Sequence, residues 1–113
     1  MEDFIDEKSD VFNRMNKHYK RLSKTFGYTI KPPEQLVNQI SYQLMQMKQM
    51  DRAGQFFKMN VTNYPKSPNV YDSIGDYYIE TGDKASAILN FKKALEIQET
   101  AYTREKLVEL EKK

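Results

Sequence analysis

Residues 71–95 read YDSIGDYYIETGDKASAILNFKKAL. The stretch carries two amphipathic helices separated by a stop. Tyr71, Ile74, Gly75 and Tyr78 recur at three- and four-residue spacing, which is one face of a helix. Thr81-Gly82-Asp83 supplies a glycine that can end a helix and an aspartate that can cap the next. Ala87, Phe91 and Ala94 then form a small–large–small stripe at helical spacing. Small residues at Gly75 and Ala87 allow two antiparallel helices to approach closely. Tyr71, Tyr78 and Phe91 fill the space around that contact.

Working outward, the pattern recurs 34 residues upstream. Val37 falls on Tyr71, Ile40 on Ile74, Ser41 on Gly75, Leu44 on Tyr78, Ala53 on Ala87 and Phe57 on Phe91. Two units result, 34–67 and 68–101. Asp51 is placed to cap the second helix of the first unit. Tyr64-Pro65-Lys66-Ser67-Pro68 reads as the turn between units, with Pro68 in the first turn of the next helix, where its missing N–H costs nothing.

That period, with a bulky residue, Leu or Ile, a small residue and an aromatic on the first helix and small–aromatic–small on the second, resembles the tetratricopeptide repeat. The second unit lacks only the final proline, where Glu99 stands. The first keeps Pro65 but carries Asn60 where a small apolar residue is usual. A second resemblance lies in GYTIKPPEQLVN and YPKSPNVYDSIGDYYIETGDKASAILNFKKAL. Over roughly residues 17–110 they look like the C-terminal repeat extension of certain bacterial α/β-hydrolase-fold esterases. The chain has no G-x-S-x-G elbow, so no catalytic residue carries over.

Residues outside the units also read as helical. In 9–27, Phe12, Met15, Tyr19, Leu22 and Phe26 recur at helical spacing, with Ser9 as N-cap and Gly27 as stop. This leader is expected to cover one end of the stack. Tyr28 to Pro33 runs extended, as residues before proline prefer. The expected fold is all-α, a tetratricopeptide-like right-handed stack. An N-terminal region 1–33 with its leader helix comes first, then the two repeats, then a capping helix over 102–113 carrying Leu107 and Leu110.

Length and composition bound the function. One hundred and thirteen residues make one domain with one modest core. Cysteine is absent and His18 is the only histidine, which excludes thiol chemistry and leaves no metal-ligating cluster. A lone histidine with no visible orienting partner reads as a surface or packing residue. The reading is therefore of no enzyme, no cofactor and no metal site. The N-terminus MEDFIDEKSD is acidic, unlike a secretory signal, and no run is apolar enough to span a membrane. A cytoplasmic location is the default, or a periplasmic one for a domain of a larger secreted hydrolase.

Charge is unevenly spread under a net +2. Residues 11–67 carry ten Lys/Arg and two acids, while residues 68–113 carry seven Lys/Arg and nine acids. Arg14, Lys17, Arg21 and Lys24 form a basic stripe on the leader, without any groove-reading motif that would mark nucleic acid as the partner.

What the repeat resemblance implies about function is a concave face lined by the first helix of each pair. Its residues would be Asn38, Tyr42, Met45 and Gln46 in the first unit and Asp72, Asp76, Ile79 and Glu80 in the second. Asp72, Asp76 and Glu80 share one face at four-residue steps and would suit a basic peptide. The family's carboxylate clamp is not expected, because Tyr42 and Ser73 stand where asparagines are usual and a clamp lysine is missing. Met45, Met47 and Met50 hint at an adaptable surface. The expectation is a protein-binding or scaffolding module, able to form a homodimer. The alternative is an accessory domain of a serine esterase.

Overall fold

The computed structural model describes residues 11–113, so the acidic segment 1–10 and the expected cap Ser9 lie outside the described residues. Six helices follow in order: α1 Val11–Phe26, α2 Glu34–Gln46, α3 Met50–Asn63, α4 Pro68–Thr81, α5 Lys84–Ile97 and α6 Ala101–Lys112. No strand occurs among the described residues. The fold is an all-α, tetratricopeptide-like helical repeat in which α2 pairs with α3 and α4 with α5.

The helix ends follow local chemistry. Gly82 takes φ +84°, and the Asp83 carboxylate accepts from the Ser86 amide at 3.1 Å, so α4 stops and α5 starts as the Thr-Gly-Asp run predicts. Gly27, at φ +78°, ends α1. Pro68 opens α4 in its first turn. Asp51 does not cap α3. That helix begins one residue earlier, at Met50, with Gln49 at the cap position and no side-chain cap bond, so Asp51 lies in the first turn. There its negative charge still suits the positive end of the helix dipole. Thr100 caps α6 by accepting from the Thr103 amide at 3.3 Å.

The core runs along the stack in three joined clusters. Ala53, Phe57, Ile74 and Tyr77 seal the first pair against the second. Val70, Tyr71 and Ala94 close the second pair, with Tyr64 of the inter-unit turn packed on them. Ala87, Phe91 and Leu107 bind that pair to α6. A Cβ on Gly75 would sit 2.5 Å from the Phe91 ring, so the small residue is a packing requirement. A Cβ on Gly54 would sit at the same distance from the Tyr77 hydroxyl, a second close approach outside the repeat pattern.

Asn60, the departure in the first unit, is buried, and its amide donates to the Glu34 carbonyl at 3.0 Å. It ties the end of α3 to the start of α2. The same start is held by Ser67, which donates to the Glu34 carboxylate at 2.8 Å. Tyr64 donates to the Pro32 carbonyl at 2.8 Å, which fixes the extended segment before α2.

The leader covers less than its pattern predicts. Phe12 meets Phe56 edge-on at 5.2 Å, but no residue of α1 is fully buried and Phe26 is 60% exposed. Phe26 meets the tilted ring of Tyr28, itself exposed. Arg14, Lys17, His18, Arg21 and Lys24 are all exposed.

Candidate binding face

Three helices build one polar face: α2, α4 and α6, the first helices of successive 34-residue steps. Its centre is a bonded network. Tyr42 on α2 donates to Asp76 on α4 at 2.6 Å. Lys106 on α6 donates to both α4 carboxylates, Asp72 at 2.9 Å and Asp76 at 3.0 Å. Thr103 donates to the other oxygen of Asp72 at 2.6 Å. The ammonium of Lys106 also lies 4.0 Å from the centroid of the Tyr102 ring.

Burial and neighbours set the protonation here. Burial pulls the Lys106 ammonium down, but its bonds to Asp72 and Asp76 outweigh that and hold it above the ordinary lysine value. Burial pushes the Tyr42 phenol far up, and its bond to Asp76 pushes it the same way, so it stays a donor. The two aspartates are thus already matched by the chain's own lysine. They do not stand as free acceptors for a basic peptide.

Two grooves flank the network. The first, of about 430 Å³, lies between α2 and α4 and is amide-rich, lined by Gln35, Asn38, Gln39, Tyr42, Asn69 and Asp72 among others. The Asn38 side-chain oxygen is buried in the fold without a hydrogen-bond partner. The second, of about 390 Å³, lies between α4 and α6 and is mainly apolar, with Ile79, Tyr102 and Leu110 beside Glu105 and Glu109. Tyr102 lines both grooves.

The structure therefore brings together Asn38, Tyr42 and Asp72 in one groove and Asp76 and Ile79 in the other. Gln46 and Glu80 are exposed but line neither. Met45 is not on this face as an open surface. It is half-buried and packs on the cluster of Ala53, Phe57, Ile74 and Tyr77, as does Met50. Met47 alone of the three is well exposed, at 52%.

Sequence reasoning missed Tyr102, Thr103 and Lys106. A signal existed: Lys106 stands 34 residues after Asp72, as Asp76 stands 34 after Tyr42. Both bonds join equal positions of successive units. Continuing the period one step into α6 exposes them.

Among the described residues no group of histidine, cysteine and acidic side chains is placed to hold a metal ion. No helix among them is long and apolar enough to cross a membrane. Neither the curated proteins nor the solved structures contain a match to the chain. Residues 68–100 match the tetratricopeptide repeat family model, which spans α4 and α5, and the match concerns the repeat rather than any hydrolase-linked arrangement. The second helix pair is thus similar in sequence to the tetratricopeptide repeat, and the described residues have an all-α, tetratricopeptide-like helical-repeat fold.

Proposed function

We propose that the protein is a protein–protein interaction module that holds an extended peptide segment of a partner across α2, α4 and α6, and that it works by binding rather than catalysis. One observation carries the reading: two grooves lie side by side on this face, and the exposed ring of Tyr102 sits between them. Side-chain amides on one side can meet peptide backbone groups. Apolar surface on the other can take a side chain. An exposed aromatic at the centre is the residue type that most often anchors such contacts.

The test is a selection of random peptides against the immobilised protein, repeated with Tyr102→Ser. Enriched peptides should bind the parent and lose at least about tenfold in affinity on the variant, since a central aromatic anchor is worth about 2 kcal/mol or more. Thermal melts check that the variant folds. Peptides that hold equally well to Tyr102→Ser, or no enrichment above an unrelated helical protein, refute the assignment. The same preparation should turn over no model ester. Turnover that persists through repurification and is lost on changing one residue of this chain would refute the non-catalytic part.

A further inference from the structure

We infer that the partner segment carries an aliphatic side chain close to a lysine or arginine, and that the α4–α6 groove is where this pair binds. The inference rests on the peptide-binding reading above and names the chemistry of its ligand.

The floor of the groove is apolar and open. Ile79 is 41% exposed, Tyr102 is 66% exposed, and Leu110 is half-buried beside them. Single exposed apolar residues are ordinary, but here three share one concavity. The rim is acidic. Glu105 has no ion pair among the described residues. Glu109 has one contact, to Lys112 at 3.9 Å, with both side chains 68% exposed. A pair that open is worth little and leaves the carboxylate available.

The cations nearby do not cancel the rim. Lys106 is held by Asp72 and Asp76, and Lys113 is the other lysine at the groove. The groove itself is lined by Asp76, Glu105 and Glu109 against Lys106 and Lys113, three acids to two lysines.

The chain itself displays the recognition. Lys106 is a lysine seated between carboxylates and over the Tyr102 ring, 4.0 Å from its centroid, and most of that ring stays exposed. An incoming Lys or Arg would find the same acid-and-aromatic chemistry at Glu105, Glu109 and Tyr102. A purely apolar segment would cover the glutamates without replacing their water. An acidic one would be repelled.

The experiment uses three pools of short extended peptides, randomised except at fixed positions: leucine with lysine, leucine with glutamate, and serine with lysine. Fluorescence anisotropy reads affinity, and amide shifts of the full chain read location. The leucine–lysine pool should bind at least about tenfold tighter than either of the others, weaken with added salt, and shift Ile79, Tyr102 and Leu110. Glu105→Lys with Glu109→Lys, both at exposed positions, should reverse the order of the leucine–lysine and leucine–glutamate pools. Equal binding of all pools on this face overturns the inference and leaves the peptide-binding reading standing. Shifts on this face from no pool overturn both.

Discussion

Gly75 shows how much one hydrogen atom decides in a stack of helices. Its missing side chain is the space taken by the Phe91 ring, which is fully buried and has nowhere to move. Gly75→Ala is expected to cost about 1–3 kcal/mol, the usual cost of overpacking a tight core, and urea unfolding would measure it. Gly54 faces the hydroxyl end of Tyr77, which can tilt, so Gly54→Ala should cost less and keep a higher urea midpoint than Gly75→Ala. Gly75 was legible because small and aromatic residues alternate at helical spacing within one short stretch. Gly54 was not, because its partner by the 34-residue step is Ile88, which breaks the small-residue pattern. Asn60 could be seen as a departure but not explained. Its bond reaches back to Glu34, and no local spacing announces a contact over that span.

Among the elements, α6 reveals most about how successive helices of the polar face are joined. Its inner side is bound by the buried Leu107 and Thr103 and by Lys106 between two aspartates. At the positions where α4 has Tyr71, Gly75 and Tyr78, α6 carries Glu105, Glu109 and Lys112. The helix itself could be read from the spacing of Leu107 and Leu110. The grip could not, because it depends on pairing residues across two helices. Lys106→Met leaves Asp72 and Asp76 with side chains 14% and 22% exposed and no cation. The expected loss is about 1.5–3 kcal/mol, the worth of hydrogen bonds to charged groups. Adding Asp72→Asn and Asp76→Asn should recover part of it, and a mutant cycle of urea midpoints would show the coupling.

The same contact fixes a pH dependence. The folded chain holds both the Lys106 ammonium and the Tyr42 phenol above their ordinary values of 10.5 and 10.0. Groups raised in the folded state stabilise it fully below those ordinary values and lose that contribution as pH rises through the folded ones. Stability should therefore be insensitive to these groups at neutral pH and fall above about pH 10, and Tyr42→Phe with Lys106→Met should flatten that alkaline limb. Equal alkaline slopes for parent and double variant would show that other groups set it.

At the scale of the whole molecule, stability is uneven. The clusters joining α2 to α6 are contiguous, whereas α1 adds partly covered side chains and a single close ring pair to Phe56. Amides of α1 should exchange with solvent well before those of α3 and α4, as weakly packed elements open first. Phe12→Ala should speed α1 exchange further while leaving α4 and α5 unchanged. Uniform exchange across all six helices would mean that α1 is as firmly held as the repeats. The amphipathic pattern made α1 readable as a helix. How far its stripe would be covered depended on contacts with the other helices that no local spacing announces, and Phe26 stays 60% exposed.

The bonds between equal positions of successive units also govern how such an array could grow. Asp72 meets Lys106, its own counterpart one unit later. A second copy of residues 68–101 inserted after the first would put an aspartate opposite Asp72 and move the lysine one step away. Two carboxylates would then face each other at a site built for an ion pair. Lengthening by simple duplication is thus penalised at Asp72 and again at Asp76, which by the step that joins it to Tyr42 would face its own copy. Changing the copied Asp72 to lysine would restore the pairing there, so the junction favours the present helix as its neighbour over another copy of the repeat.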